Sequence, residues 1–228
     1  MFVKHAPILD RKIRFAVIGC GRIAGKHFEA IEKHSDRAEL VSICDNQTNR
    51  LSDAESSTGA QGYDDLDDLL EKSNPDCVVL TTPSGLHPSQ TLRVASAGFH
   101  VMTEKPMATR WEDGLKMVEG CDAAGVRLFV VKQNRRNTTL QLLKRAVEQR
   151  RFGRINMVNI NVFWSRPQDY YDQDAWRGTW EFDGGALMNQ ASHYVDLLDW
   201  LIGPIADVQA FTATLARDIQ VEDLSLIH

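Results

Sequence analysis

Val17-Ile18-Gly19-Cys20-Gly21-Arg22-Ile23-Ala24 decides how the first half of this chain folds. Ahead of it, Ile13–Ile18 (IRFAVI) is apolar almost throughout, the pattern of a parallel strand buried on both faces. Behind it, residues 22–35 place Ile23, His27, Ala30 and Ile31 along one side of a helix. In a Gly-x-Gly-x-x-Ala turn between strand and helix each small residue has a physical reason. Gly19 permits the tight turn, Gly21 lets the backbone approach a pyrophosphate, and Ala24 keeps the helix close to the strand. The helix N-terminus presents backbone amides and a positive dipole end to the phosphates. An acidic residue is expected about 20 residues further on, and Asp45 follows the next strand-like run, Leu40–Cys44. Its carboxylate accepts hydrogen bonds from an adenosine ribose and repels a 2′-phosphate, which favours NAD over NADP.

Outward from this turn, strands and helices alternate. Residues 47–58 read as a helix and Asp76–Thr82 (DCVVLTT) as a strand, followed by Pro83 and a helix over 86–97. Phe99–Thr103 is another strand. Thr109-Arg110-Trp111-Glu112 has the form of a capping box, opening a helix to Ala124 with Gly125 as its left-handed stop. Arg127–Lys132 is one more strand. This rhythm predicts an α/β fold whose N-terminal part, residues 1–133, is a doubly wound parallel sheet of the Rossmann kind. Beyond it the pattern changes: a helix over Asn137–Gln149, an alternating strand at Asn156–Trp164, an aperiodic stretch over 165–183, a helix at Ala186–Leu201 stopped by Gly203-Pro204, and a strand-like run at Ala206–Ala216. Residues 134–228 are therefore expected to form an α+β domain whose sheet has one face covered. That sheet needs further strands to cover it, so the domain is expected to be incomplete at its C-terminus.

With 228 residues, 43% of them hydrophobic, 25% charged and a net charge of −5, the composition is that of an ordinary globular protein. The acidic balance argues against general nucleic-acid binding, and the cationic stretch Lys144, Arg145, Arg150, Arg151 and Arg154 reads as a solvated helix end. No apolar run approaches the ~20 residues that span a bilayer, and the first residues lack the apolar core of a signal peptide. Cys20, Cys44, Cys77 and Cys121 show no paired spacing, so they are expected to be reduced and structural, with no metal, in a cytoplasmic protein.

Three further stretches occur in order: Thr81-Thr82-Pro83-Ser84-Gly85-Leu86-His87, Glu104-Lys105-Pro106, and Gly184-Gly185-Ala186-Leu187-Met188-Asn189-Gln190-Ala191-Ser192-His193-Tyr194-Val195-Asp196. With the glycine turn they resemble the Gfo/Idh/MocA family of sugar and cyclitol oxidoreductases, from Ile13 to Asp223. Val131–Arg136 and Trp176–Gly184 are similar, more narrowly, to the UDP-N-acetylglucosaminuronate 3-dehydrogenases of bacterial surface-polysaccharide pathways. The resemblance implies NAD as cofactor, a nucleotide-sugar substrate, and a second domain with a mainly antiparallel open sheet that binds substrate and assembles homo-oligomers, dimers or tetramers, when complete. It implies a cofactor site at Gly19, Gly21, Arg22, Ile23 and Asp45, joined by Thr82, Pro83, His87, Glu104, Lys105 and Trp176. Val221-Glu222-Asp223 resembles a strand end of the family, and the residues after it do not continue that pattern.

Oxidising a secondary alcohol requires a base for the hydroxyl proton and a cation near the developing alkoxide. Lys105 follows a strand at the carboxyl edge, where doubly wound sheets bind ligands, and Pro106 restricts its backbone. Asn189 and His193 stand at i and i+4 on one helix face, and His193 titrates in the useful range. Many relatives carry an aspartate at the position of Asn189. An amide orients a substrate but takes no proton, so the base is His193 or Lys105. Arg177 has the planar fork that suits a carboxylate or phosphate. Arg135, Arg136 and Asn137 are candidates for contacting the nucleotide sugar, with helix capping equally open for Asn137. Two other readings stay open: a dehydrogenase of a free sugar or cyclitol, and a non-catalytic NAD-binding sensor or subunit.

Overall fold

The computed structural model describes residues 6–227, with side chains to Leu224. The chain divides into two compact units, Met1–Val130 and Val131–His228.

The first unit contains β1 (Ile13–Ile18), α1 (Ala24–Lys33), β2 (Ala38–Cys44), α2 (Thr48–Thr58), β3 (Gln61–Tyr63), α3 (Leu66–Lys72), β4 (Cys77–Leu80), α4 (His87–Ser96), β5 (His100–Thr103), α5 (Trp111–Ala124) and β6 (Leu128–Val130). Its six strands lie in the order β3-β2-β1-β4-β5-β6, and all are parallel. This is the doubly wound order, in which the chain reverses direction across the sheet between β1 and β4. Alternation along the central strands explains why they are apolar throughout. Ala16, Ile18, Val78 and Leu80 enter one core with Leu69, Val94 and Cys121. Val17 and Val79 enter the other with Ile43, Ala24 and Ala54. α1 and α2 therefore cover one face, and α3, α4 and α5 the other. Truncating a fully buried member such as Leu80 is expected to cost about 2–5 kcal/mol.

Two elements were not expected. β3 and α3 fill the stretch between residues 58 and 76, with Asp65 capping α3 through the amides of Asp67 and Asp68. The N-cap position of α5 falls on Arg110, one residue past Thr109, and the Arg110 side chain does not cap the helix. Gly125 ends it in the left-handed conformation as expected.

The second unit contains α6 (Thr138–Glu148), α7 (Gln168–Asp172), a π-helical turn over Ala186–Ala191 leading into α8 (Ser192–Ile202), and β7 (Ala210–Ala213) paired antiparallel with β8 (Leu224–Ile227). The expected strand at Asn156–Trp164 is not one: the segment forms no ladder among the described residues and is almost wholly exposed. Alternating sequence selects a strand only when another edge is present to hydrogen-bond with it. The run at 206–216 narrows to β7. Leu224–Ile227 pairs with it. No helix among the described residues is long and apolar enough to cross a membrane.

Candidate active site

The carboxyl ends of β1, β2, β4 and β5 deliver the candidate residues of the first unit to one edge of the sheet. β1 runs into Gly19, whose φ is 89°, a region open to glycine but strained for other residues. A β-carbon there would lie 3.0 Å from the Thr81 carbonyl carbon and from Thr82. At Gly21 it would meet no protein atom within 4 Å, leaving open space above the second glycine. α1 then starts without a side-chain cap, so its N-terminal amides can face an anion. Ile23 is the helix N-cap residue, and Arg22 is exposed. Asp45, just past β2, is buried and accepts the Cys20 amide at 2.7 Å and the Gln47 amide at 2.8 Å. Its carboxylate is thereby locked against the turn. An open cradle at Gly21, an uncapped helix start and an oriented carboxylate fit a dinucleotide.

Next to this turn, the Thr81 hydroxyl donates to the carbonyls of Ile18 and Gly19. Thr82 donates to the Gln90 side chain at 2.6 Å, and Pro83 precedes a short turn into α4. His87 is fully buried, with Nδ1 2.9 Å from the Pro106 carbonyl and Nε2 3.0 Å from that of Thr82. Burial holds its pKa below the ordinary imidazole value, against the pull of the two carbonyls. Glu104 is buried beyond β5 and meets His27 of α1 at 2.9 Å. Burial alone would raise its pKa, but the His27 hydrogen bond and charge, the Lys105 amide and the Lys105 charge outweigh it and hold the carboxyl low. Lys105 itself is half-buried, and its bond to Pro106 is cis.

In the second unit, Asn189 sits in the π turn and donates to Asp183, and His193 is buried in the first turn of α8. The wider π turn means that the two do not share a regular α-helical repeat. π turns recur at functional sites. Asp183 also accepts the Gly178 amide at 2.7 Å, tying the 176–184 loop to the turn. Arg177 pairs with Asp174 at 3.0 Å and lies over the rings of Tyr170 (4.2 Å) and Trp176 (5.1 Å). Arg135 grips Asp196 of α8 with both arms, at 2.9 and 2.6 Å, which makes it a brace of the helix that carries His193. Asn137 caps α6 by accepting the Thr139 amide, and Arg136 is intermediate in exposure.

Residues 13–132 match the oxidoreductase family with an NAD-binding Rossmann fold, and residues 140–228 match the C-terminal domain of the same family. The chain belongs to the Gfo/Idh/MocA family. Its members include a solved dehydrogenase, WlbA of Chromobacterium violaceum in complex with NADH and UDP-GlcNAcA, which is 66% identical with a TM-score of 0.97 over 99% of this chain and 65% of that one. WlbA of Bordetella pertussis, in complex with the same two ligands, is 65% identical with a TM-score of 0.95 over 97% of this chain and 64% of that one. More distantly, myo-inositol 2-dehydrogenase of Thermotoga maritima is 29% identical over 84% of this chain and 55% of its own length. The chain thus spans about two thirds of the length of the WlbA proteins.

Two residues escaped the Gfo/Idh/MocA pattern as read from sequence. His27 interrupts the otherwise apolar face of α1, and a polar group on a buried face needs a partner; that was the available signal. Asp183 had only its place before Gly184-Gly185, which does not reveal that it anchors two segments at once.

Proposed function

We propose that this protein is an NAD-dependent dehydrogenase that oxidises the 3-hydroxyl of UDP-N-acetylglucosaminuronate to a ketone in bacterial surface-polysaccharide synthesis. The observation that carries the reading is the 66% identity, along nearly the whole chain and both units, to a dehydrogenase whose crystals hold NADH and UDP-GlcNAcA. In this reading the protein is cytoplasmic and homo-oligomeric, and residues 134–228 bind the sugar and build the assembly.

Bound NAD supplies the hydride acceptor. The Gly19–Ala24 turn holds the pyrophosphate against the start of α1, and Asp45 holds the adenosine ribose. Arg22, Ile23, Thr82, Pro83, His87, Glu104 and Trp176 complete the cofactor site. Lys105 holds the reacting hydroxyl and, by its charge, favours the alkoxide that develops as the proton leaves. The proton goes to His193 or to Lys105. Asn189, fixed by Asp183, orients the sugar, and Arg177, with Arg135 and Arg136, meets its anionic groups.

The test follows nicotinamide reduction by absorbance with NAD and UDP-N-acetylglucosaminuronate, UDP-N-acetylglucosamine, myo-inositol or glucose, with 2-oxoglutarate added in parallel to release trapped reduced cofactor. Turnover of the UDP-sugar acid alone, lost in Lys105→Ala, is the expected result. Turnover of a free polyol would replace the substrate. NAD binding without any turnover would overturn the enzymatic reading in favour of a sensor.

A further inference from the structure

We infer that His27 is a positioning residue for Lys105, acting through Glu104. The inference rests on the proposed dehydrogenase reading, but its physical basis lies wholly within the first unit. His27 stands one turn into α1, the helix that starts at the phosphate turn. Its Nε2 lies 2.9 Å from Glu104 Oε1, and the other oxygen, Oε2, accepts the Lys105 amide at 3.1 Å. The His27 and Glu104 side chains are only 14% and 10% exposed, so water cannot easily replace either partner.

A carboxylate rotates about its terminal bond unless both oxygens are engaged. Here one oxygen is held by a ring from α1 and the other by the peptide of the candidate catalytic lysine. On the far side of Lys105, the Pro106 carbonyl is held by His87. The main chain is thus gripped before and after the lysine by histidines from α1 and α4, the helices that follow the Gly19 and Thr82 turns. Removing His27 leaves Glu104 buried without its partner. The carboxylate then protonates or turns, and the Lys105 amide loses its fixed acceptor. The phosphate turn itself is untouched, because neither Gly19, Gly21 nor Asp45 bonds to His27.

The test compares His27→Leu, which keeps volume and loses the donor, with His27→Gln, whose amide nitrogen reaches the place of Nε2. For His27→Leu, kcat is expected to fall roughly 10- to 100-fold, the cost of a misplaced reacting group, while KM for the sugar acid stays within about threefold. His27→Gln is expected to recover most of the loss. Independently of turnover, the acetylation rate of Lys105 by acetic anhydride, read by peptide mass spectrometry on the protein without cofactor, should rise several-fold in His27→Leu and not in His27→Gln. Adding His27→Leu to Glu104→Gln should cost little more than Glu104→Gln alone if the two act as a unit. Wild-type kcat and labelling in His27→Leu, or equal defects in both His27 variants, would overturn the inference. Absence of turnover in the unsubstituted protein would instead overturn the dehydrogenase reading, with the labelling still deciding the role of His27. If His27→Leu does not fold, Glu104→Gln carries the same labelling and kcat comparison.

Discussion

At the scale of single residues, the two glycines of the phosphate turn serve different ends, and substitution separates them. A methyl group at Gly19 would press on Thr81 and Thr82 in a strained backbone region. Gly19→Ala is therefore expected to lower the thermal midpoint as well as cofactor affinity. A methyl group at Gly21 meets no protein atom, so Gly21→Ala should unfold at the wild-type temperature yet lose most NADH binding, as read by nicotinamide fluorescence. Equal thermal loss in both would refute the assignment of Gly21 to the cofactor. Asp45 gives a second discrimination. Asp45→Asn keeps one acceptor oxygen for the turn but removes the charge that repels a 2′-phosphate. Its NAD affinity should fall roughly tenfold, in keeping with a lost charged hydrogen bond, and its preference over NADP should shrink. Cys20, between the two glycines, is no reactive thiol: burial first and the Asp45 charge second push its pKa up to about 12. Alkylation at neutral pH should be correspondingly slow.

At the scale of elements, His87 makes the first unit sensitive to mild acid. Its folded pKa lies below the ordinary value because burial penalises the charged ring, so the native unit holds fewer protons here than the unfolded chain. The stability this represents is present above the unfolded value, near 6.5, and is lost as pH falls below it. Glu104 and Asp76, both held low, act in a separate window: Glu104 because His27 and the Lys105 amide outweigh burial, and Asp76 chiefly through its Arg11 hydrogen bond. Their stabilisation is lost only below about pH 4. Urea midpoints measured between pH 7.5 and pH 5.5, roughly the window about the histidine value, should fall in the wild type and change less in His87→Gln. An unchanged slope in the variant would assign the acid sensitivity elsewhere. In the second unit, Asp196→Asn breaks a two-armed ion pair, partly exposed on the arginine side, and should cost about 1–2 kcal/mol after allowance for screening. These elements were unequally legible. β1 and β4 announce themselves because strands buried on both faces must be apolar at consecutive positions. β3 is too short to show a period, and α3 is seven residues long, although its Asp65 cap was a usable signal. The residues of the 165–183 stretch are held by Arg177 on Asp174 and on aromatic rings and by Asp183 on Gly178, contacts that leave no periodicity. The π turn under Asn189 is likewise silent, because its sequence reads as ordinary helix.

At the scale of the whole molecule, the second unit carries much of the exposed apolar surface. Within the second unit, Phe163 is 92% exposed, Met157 84%, Leu215 73% and Phe211 70%. An apolar groove of about 510 Å³ runs beside α6 and α8, lined by Leu143, Val147, Phe152, Ile155, Leu198 and Leu201. The strand-like alternation of Asn156–Trp164, found here without a ladder, supplies part of that surface. Exposed apolar surface of this kind binds dyes and other copies of the chain, and a net charge of −5 is a weak deterrent to association at physiological salt. The purified chain is therefore expected to enhance anilinonaphthalene sulfonate fluorescence in its native state and to sediment with a concentration-dependent mass. Met157→Lys with Phe163→Lys should reduce both signals while leaving NADH binding unchanged, because neither side chain belongs to the dinucleotide unit. Dye binding that persists in the double variant but vanishes when Leu143 and Leu198 are made polar would place the sticky surface in the groove rather than on the 156–164 segment. The wild type remaining monomeric and dye-free would show that this apolar surface is shielded in solution.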